Sequence, residues 1–343
     1  MKTFPSLPPN PGVSYIMPVL NEAEYLADAI GSIQRQNYSG EQEIILALGA
    51  SSDDTNQIAA GLAQADPRIS WVHNPANDVP IGLNLAIRAS KHPVIIRVDA
   101  HSEIPANYAE VMVTKLSETG AANVGGVMLA KGKTPLQKAI ARTYNSPFGM
   151  GGGSYHGGDQ EGPAVSAYLG CYRREVFDEV GMFDPNMRRA QEWELNFRIR
   201  AAGYQVWFTP EIEVGYWPRN SLEKLRKQMY TTGVWRGHMA RNSQREWKHF
   251  APPALVAGLA FSAMLAAIGL AARKPKQVAA GAALPVSYLG GLELAALRTG
   301  ADGPFDWLLN IVCLGTVHLS WGAGFLRGWL RGAADTVDHS RVV

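Results

Sequence analysis

The sequence predicts an α/β fold with a mostly parallel sheet, followed by basic amphipathic helices and an α-helical transmembrane region. Three observations carry this. Up to about Pro218, short aliphatic runs alternate with helical patterns, the rhythm of a parallel sheet covered by helices on both faces. After about Ala251 come three apolar stretches of about 20 residues, each long enough for a helix to cross ~30 Å of hydrocarbon. Between these parts, Arg219–Phe250 carries eight cations against two carboxylates.

Val13–Pro18 and Glu43–Leu48 read as short apolar strands, followed by polar turns and helical patterns over Glu22–Gln36 and Ser52–Ala65. Ile69–His73 is a third strand, Ile81–Ser90 a helix, and Val94–Val98 a fourth strand whose continuous β-branched run marks burial on both faces. Ligands of such sheets bind beyond the carboxyl ends of the strands. Three polar segments fall there: Pro18-Val19-Leu20-Asn21-Glu22, Gly49-Ala50-Ser51-Ser52-Asp53-Asp54-Thr55 and Asp99-Ala100-His101. Side chains two residues apart on extended chain project alike. Asp99 and His101 therefore present an oxygen and a nitrogen ligand side by side, a grip for a divalent cation that leaves positions for phosphate oxygens. Read alone, the pair serves as readily as a turn-capping Asp beside a solvent-facing His. The motifs around it reverse that preference.

Composition narrows the function. A net charge of +2 is too small to indicate nucleic-acid binding, and no zinc or RNA-binding motif is present. Cys171 and Cys313 lie far apart in apolar stretches and suggest no disulfide framework. Met1–Val13 is Pro-rich without a hydrophobic signal region, which predicts a cytosolic first domain.

Four motifs in order resemble the family 2 inverting glycosyltransferases of GT-A fold, in the branch of succinoglycan-biosynthesis-type enzymes. They are Met17-Pro18-Val19-Leu20-Asn21-Glu22, Ser51-Ser52-Asp53-Asp54-Thr55, Arg97-Val98-Asp99-Ala100-His101 and Gln191-Glu192-Trp193-Glu194-Leu195-Asn196-Phe197-Arg198, and the resemblance covers roughly Ser14–Gly237. It implies that Pro18, Leu20, Asn21, Glu22, Gly49, Ser51, Asp53, Asn84, Arg97 and Asp99 hold a nucleotide-sugar donor, a UDP-sugar. It further implies that Asp99 and His101 bind Mg²⁺ or Mn²⁺ on the diphosphate, and that Glu192 is the catalytic base. Three positions depart from the family pattern. Leu48-Gly49 stands where an acidic residue usually reads the base, Glu192 where Asp is more frequent, and Gln191 where an acid usually precedes it.

The residue types suit that chemistry. Transfer from a nucleotide sugar needs charge neutralisation on the departing diphosphate and a carboxylate to take the acceptor proton. Glu192 follows the loop Asp184–Arg189 at the start of a helical pattern, where the macrodipole favours its charged form. Glu194 is expected to pair with Arg198 one turn later on an exposed face. Trp193 either walls the donor sugar or packs. The glycine-rich run from Phe148 to Asp159 reads as an acceptor-side lid, and it lacks the Gly-Lys-Ser/Thr of a P-loop. His156, Gln191, Trp193, Trp235 and Arg236 are the acceptor-side candidates, with His156 more easily read as a solvent histidine.

The basic segment interleaves Leu222, Leu225, Met229, Tyr230, Trp235, Met239, Trp247 and Phe250, which predicts helices lying on an anionic bilayer surface. Its positive charge places the catalytic domain on the cytosolic side, with Arg273, Lys274 and Lys276 counting against that orientation. The apolar stretches are Pro252–Ala272, Val278–Leu297 and Phe305–Leu326; Pro285, Gly290, Gly291 and Glu293 leave the second one kinked, packed in an oligomer or interfacial. The expected domains are residues 1–218 (catalytic), 219–250 (membrane surface), 251–332 (transmembrane) and 333–343 (tail). Gln228 and Trp235-Arg236 do not have the spacing of a processive synthase. The expected protein is a multi-pass cell-membrane enzyme, capable of homo-oligomerisation, that adds one sugar to a lipid-linked, polyprenyl-type saccharide in cell-surface polysaccharide or glycolipid synthesis. The alternatives are a polyprenyl-phosphate glycosyl synthase and an inactive GT-A membrane scaffold.

Overall fold

The computed structural model describes residues 2–150, 155, 156, 158–242, 245, 247–333 and 336. The chain divides into two compact units: Met1–Leu129 with Gly153–Trp217, and Ala130–Gly152 with Pro218–Ser340.

In the first unit, the strands β1 (Val13–Val19), β2 (Gln42–Leu48), β3 (Ile69–His73) and β4 (Val94–Arg97) form a parallel half-sheet in the order β3-β2-β1-β4. The helices α1 (Leu26–Gln34), α2 (Thr55–Ala65), α3 (Val79–Ala89) and α4 (Tyr108–Thr119) alternate with them. The sheet continues beyond β4 through β5 (Ser102–Glu103), β6 (Asn123–Ala130), β7 (Gly162–Pro163), β8 (Tyr168–Arg173) and β9 (Val206–Tyr216). β8 runs antiparallel to both β4 and β6, and β5 and β7 run antiparallel to β9. The fold is thus the expected α/β class with an antiparallel extension.

Alternation along each strand sends its side chains to two cores. Tyr15, Met17, Ile44, Leu46, Val94 and Ile96 pack under α1 and α4, whereas Ile16, Ile45 and Ile95 pack under α3. Each such side chain contributes roughly 1.5–3 kcal/mol by leaving water. The first two expected helices begin later than their patterns suggest, and the third begins two residues earlier, at Val79. α1 starts at Leu26 and α2 at Thr55, because the residues before them are spent on cross-links between loops.

The second unit contains α5 (Pro135–Asn145) and α6 (Pro147–Met150), and, after α7 (Glu175–Val180) and α8 (Gln191–Ala201) of the first unit, α9 (Leu222–Arg241), α10 (Ala251–Ala271), α11 (Pro275–Arg298) and α12 (Pro304–Arg331). Thr134 and Ser221 cap α5 and α9 by accepting from the amides of Gln137 and Lys224. Among the described residues three helices, Trp247–Ala271, Pro275–Arg298 and Pro304–Arg331, are long and apolar enough to cross a membrane.

Two expectations change here. Ala130–Gly152 belongs with the C-terminal helices rather than within one catalytic block 1–218, because Arg142 of α5 pairs with Asp306 (3.3 Å) and donates to Asn310 (3.0 Å) of α12. The basic segment is one long helix plus a short 3-10 turn, Trp247–Phe250. Its apolar residues Leu225, Met229, Trp235 and Met239 are buried inside the unit, whereas Tyr230 and Trp247 are exposed.

Candidate active site

The carboxyl ends of β1, β2 and β4 converge as expected, and hydrogen bonds stitch their loops together. Asn21, with φ at 53°, accepts from the Ser52 amide (2.8 Å), and its own amide donates to Ser51 Oγ (3.1 Å). The Glu22 amide donates to Thr55 Oγ1 (2.8 Å), and Asp53 accepts from the amides of Ala23 (3.2 Å) and Thr55 (3.1 Å). Asp53 is therefore a brace between two loops. A Cβ at Gly49 would lie 2.7 Å from Asn77 Oδ1 and 2.9 Å from the end of the Leu20 side chain, so both side chains would have to shift. Pro18 lies within β1 opposite Ala47, half-buried.

Arg97 closes β4, buried, and its guanidinium is divided between two carboxylates. Nε and Nη2 donate to Asp99 Oδ1 at 3.0 and 2.9 Å, and Nη1 lies 3.3 Å from Glu192 Oε1. The sequence reading placed Arg97 on the donor; here it joins the predicted metal ligand to the predicted base. Burial disfavours its charge, yet Asp99 and Glu192 hold its pKa above the ordinary value.

Glu192 lies in the first turn of α8, directly after Ala190, whose φ of 59° is a left-handed conformation costing a Cβ-bearing residue roughly 1–2 kcal/mol. Leu169, φ 45°, precedes Gly170, whose amide donates to the Glu192 carboxylate. Two strained backbone positions thus flank this side chain, as at many functional sites. The Glu192 side chain is 18 % exposed. Burial raises its pKa to about 7, with Arg97 opposing and Asp99 adding to the rise. The helix terminus was expected to favour the charged form, and desolvation overrides it. A carboxyl group that titrates near neutrality is well matched to accepting a proton.

His101 faces Glu22, with Nδ1 3.3 Å from Oε1. Among the described residues no three His, Cys, Asp or Glu side chains gather into a complete metal cage. One carboxylate and one imidazole fit a cation such as Mg²⁺ or Mn²⁺ that takes most of its coordination from ligand oxygens.

Other candidates take structural positions. Asn84 is buried, its Nδ2 donating to the Phe183 carbonyl (2.7 Å) and its Oδ1 accepting from the Phe183 amide (3.0 Å), so it ties α3 to a distant loop. Trp193 is buried and stacks on Phe197. Gln191 opens α8, half-buried. His156 is buried against Tyr155 (centroids 4.3 Å apart) rather than solvent-facing. The remainder of the expected lid, residues 151–154 and 157, lies outside the described residues. Trp235 and Arg236 belong to α9 in the second unit, where Trp235 is buried and packs edge-on to His238. Glu194 does pair with Arg198, at 2.7 Å through both oxygens, but the pair is largely buried and Arg198 also donates to the Gly181 and Met182 carbonyls.

The sequence reading missed Tyr172, whose buried hydroxyl is held protonated first by desolvation and then by the Glu192 charge. It lies on β8, and nothing in its local pattern distinguishes it from a core tyrosine.

Residues 14–181 match Glycosyl transferase family 2. Succinoglycan biosynthesis protein ExoA of Rhizobium meliloti (strain 1021) is 33 % identical over 321 residues, covering 91 % of this chain and 93 % of that protein. The chain belongs to glycosyl transferase family 2. It is therefore a glycosyltransferase. A Methanococcus voltae member, dolichyl N-acetyl-alpha-D-glucosaminyl phosphate 3-beta-D-2,3-diacetamido-2,3-dideoxy-beta-D-glucuronosyltransferase, is 25 % identical and covers 67 % of this chain and 74 % of its own length. Among solved structures, the mannosyltransferase PcManGT from Pyrobaculum calidifontis in complex with GDP-Man and Mn2+ superposes with a TM-score of 0.60 at 17 % identity, covering 96 % of this chain and 90 % of that one. That likeness establishes the family 2 fold as GT-A-like.

Proposed function

We propose that this family 2 enzyme transfers one sugar, with inversion, from a nucleotide-sugar donor to a lipid-linked saccharide at the cell membrane, in the synthesis of a cell-surface polysaccharide or glycolipid. The observation that carries the reading is Glu192: a largely buried carboxyl group whose pKa is raised to about 7, oriented by Arg97 and the Gly170 amide. The acceptor hydroxyl gives its proton to Glu192 as its oxygen bonds to the anomeric carbon and the nucleoside diphosphate leaves with the bonding pair. Asp99 and His101 would hold a divalent cation, which supplies charge neutralisation at the leaving diphosphate. Arg97 keeps Asp99 and Glu192 in fixed relation, so that donor and acceptor ends of the reaction are aligned.

Support for the acceptor class comes from the relatives' names, one from succinoglycan biosynthesis and one acting on a dolichyl-linked sugar phosphate. Support for a nucleotide-sugar donor and a divalent metal comes from PcManGT with GDP-Man and Mn2+. A UDP-sugar is the donor proposed here, although β2 ends in Leu48 and offers the base no carboxylate. The C-terminal helices anchor the enzyme, with the catalytic unit on the cytosolic side. Purified protein assayed in detergent against a panel of nucleotide sugars and lipid-linked saccharides, with products analysed by linkage, tests the reading. A β-configured glycosidic product from an α-linked donor is expected. A product joined directly to lipid phosphate would instead mark a polyprenyl-phosphate synthase.

A further inference from the structure

Three helices can cross a membrane by length and composition, but their packing distinguishes the last one. α10 and α11 pack on each other and expose broad apolar surfaces: Phe261, Met264, Ile268 and Leu270 on one, Leu284, Val286, Leu289, Leu294 and Leu297 on the other. Helices of that kind are surrounded by lipid. α12 is one-sided. Its exposed Phe305, Leu308, Val312, Leu319 and Leu330 fall within roughly 60° of arc at 100° per residue. Its opposite face buries Asn310, Cys313, Leu314, Val317 and Phe325.

That buried face packs partly on α11, where Leu314 shares a core with Leu292, Ala295 and Ala296, and otherwise on charged helices. Arg142 of α5 holds Asp306 and Asn310 near one end. Along the other end runs α9, in parallel and backbone to backbone. A methyl group at Gly233 or Gly237 would collide with the carbonyl of Trp321 or Phe325, and one at Gly324 or Gly328 with the carbonyl of Tyr230 or Val234. These are two reciprocal Gly-x-x-x-Gly faces. α9 carries Glu223, Lys224, Arg226, Lys227, Arg236 and Arg241, charges that a crossing α12 would draw into hydrocarbon.

The decisive contact is at the start of the hairpin. The Phe250 ring, one residue before α10, lies 5.5 Å from Trp329 and 5.2 Å from Phe325, near the end of α12. A methyl at Gly322 would likewise strike the Pro252 carbonyl. If α10, α11 and α12 each crossed in turn, the end of α12 would stand about 30 Å from the start of α10, on the opposite face of the bilayer. The two are in contact.

We infer that α9 and α12 form one interfacial platform whose apolar stripe rests in the acyl boundary of an anionic bilayer, leaving the α10–α11 hairpin as the only crossing segment among the described residues. The C-terminal tail then stays on the side of α9. Arg327 and Arg331 join the α9 cations on that side, in keeping with the positive-inside rule. The hairpin-tip cations Arg273, Lys274 and Lys276 lie on the far side whether two helices cross or three, so they do not discriminate.

The inference rests on the membrane anchoring proposed above, and one experiment separates the two. Single cysteines are introduced as Lys227→Cys, Lys274→Cys and Ser340→Cys in the full chain, whose native Cys171 and Cys313 are buried. Labelling with a membrane-impermeant maleimide is compared before and after permeabilising intact cells, with carbonate extraction of the membranes in parallel. S340C is expected to label in the same condition as K227C and in the opposite one from K274C. S340C labelling together with K274C, both opposite to K227C, overturns the platform and leaves the anchor standing. All three labelling alike, with protein released by carbonate, removes the anchor and the inference with it.

Discussion

Arg97 Nη1 lies 3.3 Å from Glu192 Oε1, and the remaining edge of the same guanidinium holds Asp99. One buried cation thereby balances two carboxylates on different elements of the fold. Replacing it uncouples them. Arg97→Met is expected to cost about 3–5 kcal/mol of stability, the penalty for leaving a buried charge without its partner. It should also move the pH dependence of any remaining transfer to higher pH. An unchanged melting temperature and profile would show that Arg97 is not shared in solution.

Glu192→Gln keeps the shape of the side chain and removes its ability to take a proton. Turnover should fall by ~10²–10⁴ while donor affinity stays near wild type. Glu194→Gln weakens a buried pair with Arg198, so it should lower stability by about 1–3 kcal/mol with turnover retained. Steady-state kinetics and thermal denaturation of the two variants check both outcomes. The reverse assignment, an active E192Q and a folded but inactive E194Q, would move the base by two residues.

The Glu192 pKa carries a sign that can be measured. Its folded value of about 7 exceeds the ordinary 4.5, so its stabilising contribution is fully present below pH 4.5 and is lost as pH rises through 7. Two and a half units correspond to a burden on the order of 3 kcal/mol above neutrality. E192Q should therefore be more stable than wild type at pH 8 and equal to it near pH 4.5. Transfer catalysed by wild type should rise with pH through about 7. Parallel melting curves across this range decide the first statement and kcat/KM the second.

Chelation should abolish transfer, and Asp99→Ala should reduce it by several orders of magnitude, chiefly in kcat, because charge on the leaving diphosphate develops late. The check is activity in excess EDTA followed by titration with Mn²⁺ or Mg²⁺. Full activity under EDTA would remove Asp99 and His101 from the metal role.

Asn84→Ala leaves the Phe183 amide and carbonyl without their partners, each worth about 1–3 kcal/mol when buried and unmet. A clear loss of stability with unchanged donor KM is expected. A raised KM at unchanged melting temperature would restore Asn84 to the donor site.

Local pattern was enough for β1, β2, β3 and β4, because short runs rich in β-branched residues, such as Val94–Ile96, bounded by turn residues and alternating with helical patterns, favour strands of a covered sheet. It was enough, too, for the three apolar helices, whose length and composition are properties of the chain itself. The motif at Asn21, the one at Asp53 and the one at Asp99 could be placed at strand ends by counting residues. What those side chains do there could not, because a hydrogen bond is decided by what faces it. Asp53 and Asn84 face backbone amides of distant segments, so they brace the fold, and Arg97 faces two carboxylates, so it couples them. The state of Glu192 was misjudged from its helix terminus because desolvation depends on the strands and tyrosines packed around it, which no window of sequence contains. For the same reason the sequence of α9 reads as a helix whose apolar face lies on a bilayer. Only the tertiary structure reveals that α12 already covers its apolar face, through glycines that let the two backbones touch.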